Sequence, residues 1–182
     1  MKTNEKTVKL DVVQNGEIFK IGRFEFIKFS DEDGKVIAVS KDCLFRSCFE
    51  NDNNIATSDI LKRLTKEILP EIEDIVGAEN VLEFETDLLS LDGSDKHGKI
   101  TSKISLPTFD FYRHNVKVFD RYKPDEWWWL ATPDTTTDHY NDRWVVCVSP
   151  SGRININNYF SGSHGVRPIL TFVSTIFVSC EE

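Results

Sequence analysis

No apolar run in this chain approaches the roughly 20 residues that a helix needs to span a bilayer. The charged start, Met1-Lys2-Thr3-Asn4-Glu5-Lys6, does not lead into the apolar segment of a secretory signal. The expectation is a protein of the cytoplasm or of a virion, with no membrane partner. An excess of basic residues is missing too. Acidic residues number 30 against 22 basic ones, for a net charge of -8. Bulk phosphate neutralisation is therefore excluded, no nucleic-acid partner is expected, and the field favours a basic protein.

Chemistry-bearing patterns are sparse. Cys43, Cys48, Cys147 and Cys180 make no Cys-x-x-Cys pair, and no histidine stands at zinc-finger spacing from them. Free thiols are expected over a structural zinc, and a Cys43–Cys48 disulfide would close only a short loop. His97, His114, His139 and His164 form no i, i+4 pair. There is no Gly-x-Ser-x-Gly elbow, since Ser161-Gly162-Ser163 is a loop. Asp92-Gly93-Ser94-Asp95 lacks the alternating acids and the closing Glu of a calcium loop. Glu67, Glu71, Glu73 and Asp74 are expected as a solvated helix face. No catalytic residue, metal or cofactor is assigned. With no internal repeat and no linker, residues 1–182 are expected to form a single domain, with 1–8 as a flexible N-terminus.

What the chain does have is aromatic residues, 13 Phe and 4 Trp, enough to build one sizeable core. Gly16–Gly22, Phe24–Phe29 and Lys35–Ser40 alternate as strands, with Asp31-Glu32-Asp33-Gly34 as the hairpin turn. Thr57 or Ser58 caps a helix with apolar residues at Ile60, Leu61, Leu64, Ile68 and Leu69. Pro70 ends or kinks it, with a further turn or two before Gly77. Ser90 to Ser105 is polar and Gly-punctuated, so a surface loop is expected. Pro107 opens a short helix, Thr108 to His114. A dense run, Glu126-Trp127-Trp128-Trp129-Leu130, precedes a long polar loop, Asp134 to Asp142. Arg143–Val148 and Arg153–Asn157 are expected as a strand pair around Ser149-Pro150-Ser151-Gly152. The chain closes with Val166–Leu170 and a long apolar strand from Thr171 to Ser179.

Trp128-Trp129-Leu130-Ala131-Thr132-Pro133 and Gly165-Val166-Arg167-Pro168-Ile169-Leu170 resemble the paired motifs of a family of uncharacterised phage and prophage domains. That family carries a Trp-Trp-Leu-Arg-Ser-Pro box and a Gly-Val-Arg-Pro-Ala-Leu segment. It is similar to the C-type-lectin-like fold of formylglycine-generating enzymes and of retroelement variable proteins. The likeness covers most of the chain, including the meander, the helix at Ser58–Leu64 and the stretch Ile104–Arg113. Ala131-Thr132 stands where Arg-Ser is usual, so any role of that arginine is absent. The resemblance implies an α+β, C-type-lectin-like single domain of antiparallel strands with one or two flanking helices. Trp128, Trp129, Leu130, Gly165, Arg167 and Pro168 would build its scaffold: the aromatics as core, Arg167 holding loop carbonyls or a carboxylate, and Gly165 serving backbone geometry.

Three activities follow from such a likeness. The first is a non-catalytic protein-binding or assembly module, its partner a virion component or a host factor. In the variable proteins the ligand-facing surface lies between the Trp box and the final strand. Here that stretch supplies Asp138, His139, Tyr140, Asn141, Arg143, Asn157, Tyr159, Phe160 and His164, together with Asn155 and Asn158, an adaptable mixture on a rigid scaffold. Tyr159 and Phe160 are read equally well as cover for the core. The second is a metal-dependent oxidase of the formylglycine-generating type, for which Cys147 and Cys180 are the late cysteines, outside the motif those enzymes use. The third is a calcium-dependent lectin built on Asp134, Asp138, Asn141 and Asp142, which supply only part of a calcium shell.

Overall fold

The computed structural model describes residues 5–136, 142–160 and 164–181. Strand β1 (Glu5–Lys9) and a tight turn at Leu10–Val12 precede a meander of β2 (Ile18–Ile21), β3 (Phe24–Glu32) and β4 (Lys35–Ser40). After β5 (Phe45–Ser47) come α1 (Asp59–Arg63), a π-helical segment Leu64–Ile68, and α2 (Leu69–Val76). Strands β6 (Val81–Leu82), β7 (Phe84–Asp87), β8 (Lys99–Ser102) and β9 (Ile104–Ser105) lead to α3 (Phe109–His114) and α4 (Val116–Phe119). The last third holds β10 (Trp128–Pro133), β11 (Trp144–Val148), β12 (Ile154–Asn158), β13 (His164–Val166), β14 (Ile169–Val173) and β15 (Phe177–Glu181).

Among the described residues the strands form three sheets. The largest has eight strands in the order β1-β15-β2-β3-β4-β14-β6, with β9 also on β14, and it curls into a half-barrel. The second has the order β12-β11-β10-β13-β5, and β7–β8 is a separate hairpin. Pairing is antiparallel except where β10 meets β13 at Trp128 and Gly165. The expected single α+β domain of antiparallel strands with flanking helices is what forms.

Two apolar cores explain why the central strands are buried on both sides. Phe24 and Phe26 of β3, Trp129 and Ala131 of β10, Val145 and Cys147 of β11, and Leu170 and Phe172 of β14 face the first. Ile27, Phe29, Trp128, Leu130, Val146, Val148 and Ile169 face the second. Successive side chains point to opposite faces of a strand, so a run such as Trp128-Trp129-Leu130-Ala131 feeds both. The α1–α2 helix covers the first core with Ile60, Leu64, Ile68 and Ile72. The second is covered by Tyr112 and Phe119 of α3 and α4.

Local signals set the helix ends. Ser58 Oγ accepts from Leu61 N at 3.2 Å, and Thr108 Oγ1 accepts from Phe111 N at 3.1 Å. Pro70 does not end the first helix. Its missing N–H and its ring would break the α pattern four residues back, and the π-helical turn at Leu64–Ile68 absorbs the misfit before α2 continues to Gly77. The acids of this helix are partly engaged, with Glu67 on Arg63, Glu71 on Arg23 and Glu73 on Lys103.

Three expectations need correction. Residues 5–8, expected as a flexible end, pair in register with Val178–Glu181. Ser90–Ser105 is not one surface loop: Lys99–Ser102 and Ile104–Ser105 are strands, and Ser90, Ile104 and Ser105 are buried. The apolar stretch Thr171–Ser179 is two strands. Ser174 N bonds Gly34 O at 2.9 Å, the chain turns, and β14 on β4 gives way to β15 between β1 and β2. Hydrophobicity is continuous across that turn, so the pattern conceals the break.

Candidate functional site

The scaffold motifs converge on one buried arginine. Arg167 is fully buried and its Nε donates to Ser40 O at 3.0 Å. The guanidinium lies 4.7 Å from the Trp128 ring centroid and 5.4 Å from that of Phe119, so cation–π attraction replaces part of its hydration. Burial pulls its pKa down to about 10, which leaves the charge in place at neutral pH. Pro168 O accepts from Ser40 N at 2.9 Å, so the Arg-Pro pair clamps the end of β4. Gly165 is required for close approach and not for a left-handed backbone: a Cβ there would collide with Cys43 Sγ.

Beside this scaffold lies the face expected to carry ligand. Asp138, His139, Tyr140 and Asn141 lie outside the described residues. The others divide. His164 accepts from Asn157 Nδ2 at 2.9 Å, since Asn157 Oδ1 is occupied by Asn158 N. The His164 ring sits 4.3 Å from Trp129 and stacks at 6.0 Å on Trp127. Trp127 is half-exposed and stacked on His164, so unlike Trp128 and Trp129 it is not a core residue. Tyr159 is partly buried against the first core, its N–H donating to Arg143 O and its carbonyl accepting from Phe49 N, both at 2.8 Å. Phe160 rests edge-on against Tyr159, yet 55% of it is exposed. The two readings of this aromatic pair are thus split: Tyr159 is cover and Phe160 is surface. Arg143 is exposed.

Thr135 and Thr136, which follow β10, are held by residues distant in sequence. Asn53, buried, donates from Nδ2 to Thr135 O at 2.8 Å and to Trp144 O at 3.3 Å. Its Oδ1 must then accept, so His97 donates from Nε2 at 2.8 Å. Burial lowers the His97 pKa, against a smaller opposing effect of Asp52. Asp92 accepts from Ser90 and Thr135 hydroxyls, and Ser94 Oγ meets Thr136 Oγ1 at 2.6 Å. The Asp92-Gly93-Ser94-Asp95 turn thus fastens the β7–β8 hairpin to the segment after β10. No local pattern announces this pairing, because its halves are some 40 residues apart.

The reactive side chains of this region are held in particular states. All four cysteines are free. Burial, with Glu126 adding to it, pushes the Cys43 thiol up to about 12, and burial alone does the same for Cys147, so neither offers a thiolate at neutral pH. Cys147 lies in β11 and Cys180 in β15, in different sheets. Burial, then Asp92, raises the Asp134 carboxyl above its ordinary value. Among the described residues no three His, Cys, Asp or Glu side chains gather as a metal site.

The fold is a single, mainly antiparallel domain over two packed cores. The chain belongs to the family described as "Domain of unknown function (DUF6273)", whose model matches residues 58–174. No curated protein matches the chain, and no solved structure matches it.

Proposed function

We propose that this chain is a non-catalytic protein-binding module with a C-type-lectin-like fold, of the type carried by phages and prophages. Its contact face includes Trp127, Asn157, Phe160 and His164, and Asp138, His139, Tyr140 and Asn141 are proposed to contribute to binding. The observation that carries the reading is Trp127 stacked on His164, which Asn157 holds by a hydrogen bond, together with the exposed Phe160 that follows β12. Rigid aromatic groups bind at low entropic cost, and aromatics dominate interface hot spots. The partner is a protein, a virion component or a host factor, and the net charge of -8 favours a basic one.

The test is affinity capture from host cells, with the captured protein identified by mass spectrometry and re-bound in purified form. Phe160→Ser and Trp127→Ala abolish binding at unchanged thermal stability, while Val12→Ser, which alters an exposed side chain preceding the meander, has no effect. Equal loss with Val12→Ser, or full binding by Phe160→Ser, removes the reading.

A further inference from the structure

Away from that face, a cavity of about 530 Å³ opens between the β7–β8 hairpin, α3 and the large sheet. Its volume falls within the range of small-molecule sites, roughly 300–1,000 Å³. Ile37, Phe84, Leu106, Phe109, Phe111 and Ile169 give it apolar walls. Leu89 and Leu91 also line it and are 42% and 41% exposed, so the apolar surface continues outward through the mouth. All of these except Ile37 fall within the family segment 58–174.

Two observations say what the cavity would hold. Thr86, at the centre of β7, lines it and is 4% exposed, and its hydroxyl has no hydrogen-bond partner among the described residues. A buried hydroxyl left unpaired costs about 1–3 kcal/mol, a cost that a ligand donor or acceptor would remove. The second is the charge of the lining. Glu85, Asp87 and Asp110 contribute carboxylates against Arg113 alone. Arg113 is bound to Asp110 at 3.0 Å, and Lys99, from the neighbouring strand, reaches Glu85 at 2.6 Å. Carboxylates still outnumber cations, so an anion entering the mouth is disfavoured.

We infer that this cavity is a binding site for a small amphipathic molecule, uncharged or cationic, whose apolar ring or chain fills the walls and whose N–H or O–H group pairs with Thr86. The ligand needs no contact with Trp127 or Phe160, so the site is independent of the protein-binding face.

N-Phenyl-1-naphthylamine tests this, being apolar, uncharged and equipped with one N–H donor. Its sulfonated counterpart, 8-anilino-1-naphthalenesulfonate, has the same rings and an added negative charge. Titrated into the purified full chain, the neutral probe binds saturably, one per chain, and the sulfonate binds at least ten-fold more weakly. Thr86→Val, which keeps the side-chain shape, weakens the neutral probe about three- to ten-fold without lowering the melting temperature of the free protein. Leu89→Glu, at an exposed position, weakens it as well. The assignment fails if the neutral probe does not saturate, if the sulfonate binds equally, or if Thr86→Val leaves binding unchanged. A protein partner lost on Leu89→Glu, with no probe binding, would make the cavity a socket for a side chain and overturn the small-molecule assignment.

Discussion

Among the described residues, Arg167 and Lys28 are the two cations the fold withdraws almost wholly from water, and they are held differently. Lys28 Nζ reaches Asp31 Oδ2 at 2.8 Å and Leu10 O at 2.9 Å, an ion pair with a carbonyl added. Arg167 has one backbone bond and two aromatic rings, and its Nη1 and Nη2 have no partner among the described residues. Removing one member of a buried pair leaves the other stranded, whereas replacing a buried cation by an apolar side chain of similar volume is often neutral. Arg167→Ala should therefore cost about 3–5 kcal/mol, because it empties the space between Trp128 and Phe119, while Arg167→Met should cost under about 2 kcal/mol. Urea denaturation of the two variants checks the order. Asp134 gives a pH-dependent case. Its folded pKa is raised, by burial first and Asp92 second. The folded state then holds that proton more tightly than the unfolded chain, so the group costs stability above its folded pKa and nothing below its unfolded one. Asp134→Asn should raise the melting temperature at pH 7 and leave it unchanged near pH 3.

At the scale of elements, β12 is an edge strand that guards itself. Tyr159 N points to β11, where it bonds Arg143 O, so the alternation of a strand turns the N–H groups of Ile156 and Asn158 outward. Those two groups are not left open: Asn155 Oδ1 accepts from Ile156 N and Asn157 Oδ1 from Asn158 N, each at 2.8 Å. Exposed Ile154 and Ile156 would otherwise make this edge a template for another strand. The double variant Asn155→Val with Asn157→Val should move the protein from its wild-type elution position to larger species on size exclusion. An unchanged profile would deny the guarding role. The same asparagines show how far sequence carries. Their alternation with isoleucine marks the strand in the sequence, whereas the bonds that Asn155 and Asn157 make to the next backbone N–H depend on the edge position and leave no sequence trace. The meander, the Ser58 cap and the core placement of Trp128 and Trp129 were legible because periodicity and capping are local. The strands inside 90–105 were not, since Ile104 and Ser105 take their place from pairing with Leu170 and Ile169, some 65 residues later. Nor was the cavity, which assembles from five separate stretches of chain.

For the whole molecule, the family segment and the folding unit are not the same object. Residues 58–174 leave out β2, β3 and β4, and with them Phe19, Phe24, Phe26 and Val36, all buried in the first core. Strand β14 would lose β4 along its whole length. A fragment of 58–174 should accordingly be unfolded by circular dichroism and by amide dispersion in NMR, while residues 5–181 should melt cooperatively. The register of β1 on β15 has another consequence. Glu5 lies opposite Glu181, and antiparallel partners stand about 5 Å apart at their Cα atoms. The polypeptide thus enters and leaves the fold through one doorway. Such a domain can be spliced as a guest into a surface loop of a host protein, or have its two ends joined and be reopened elsewhere, without rethreading a single strand.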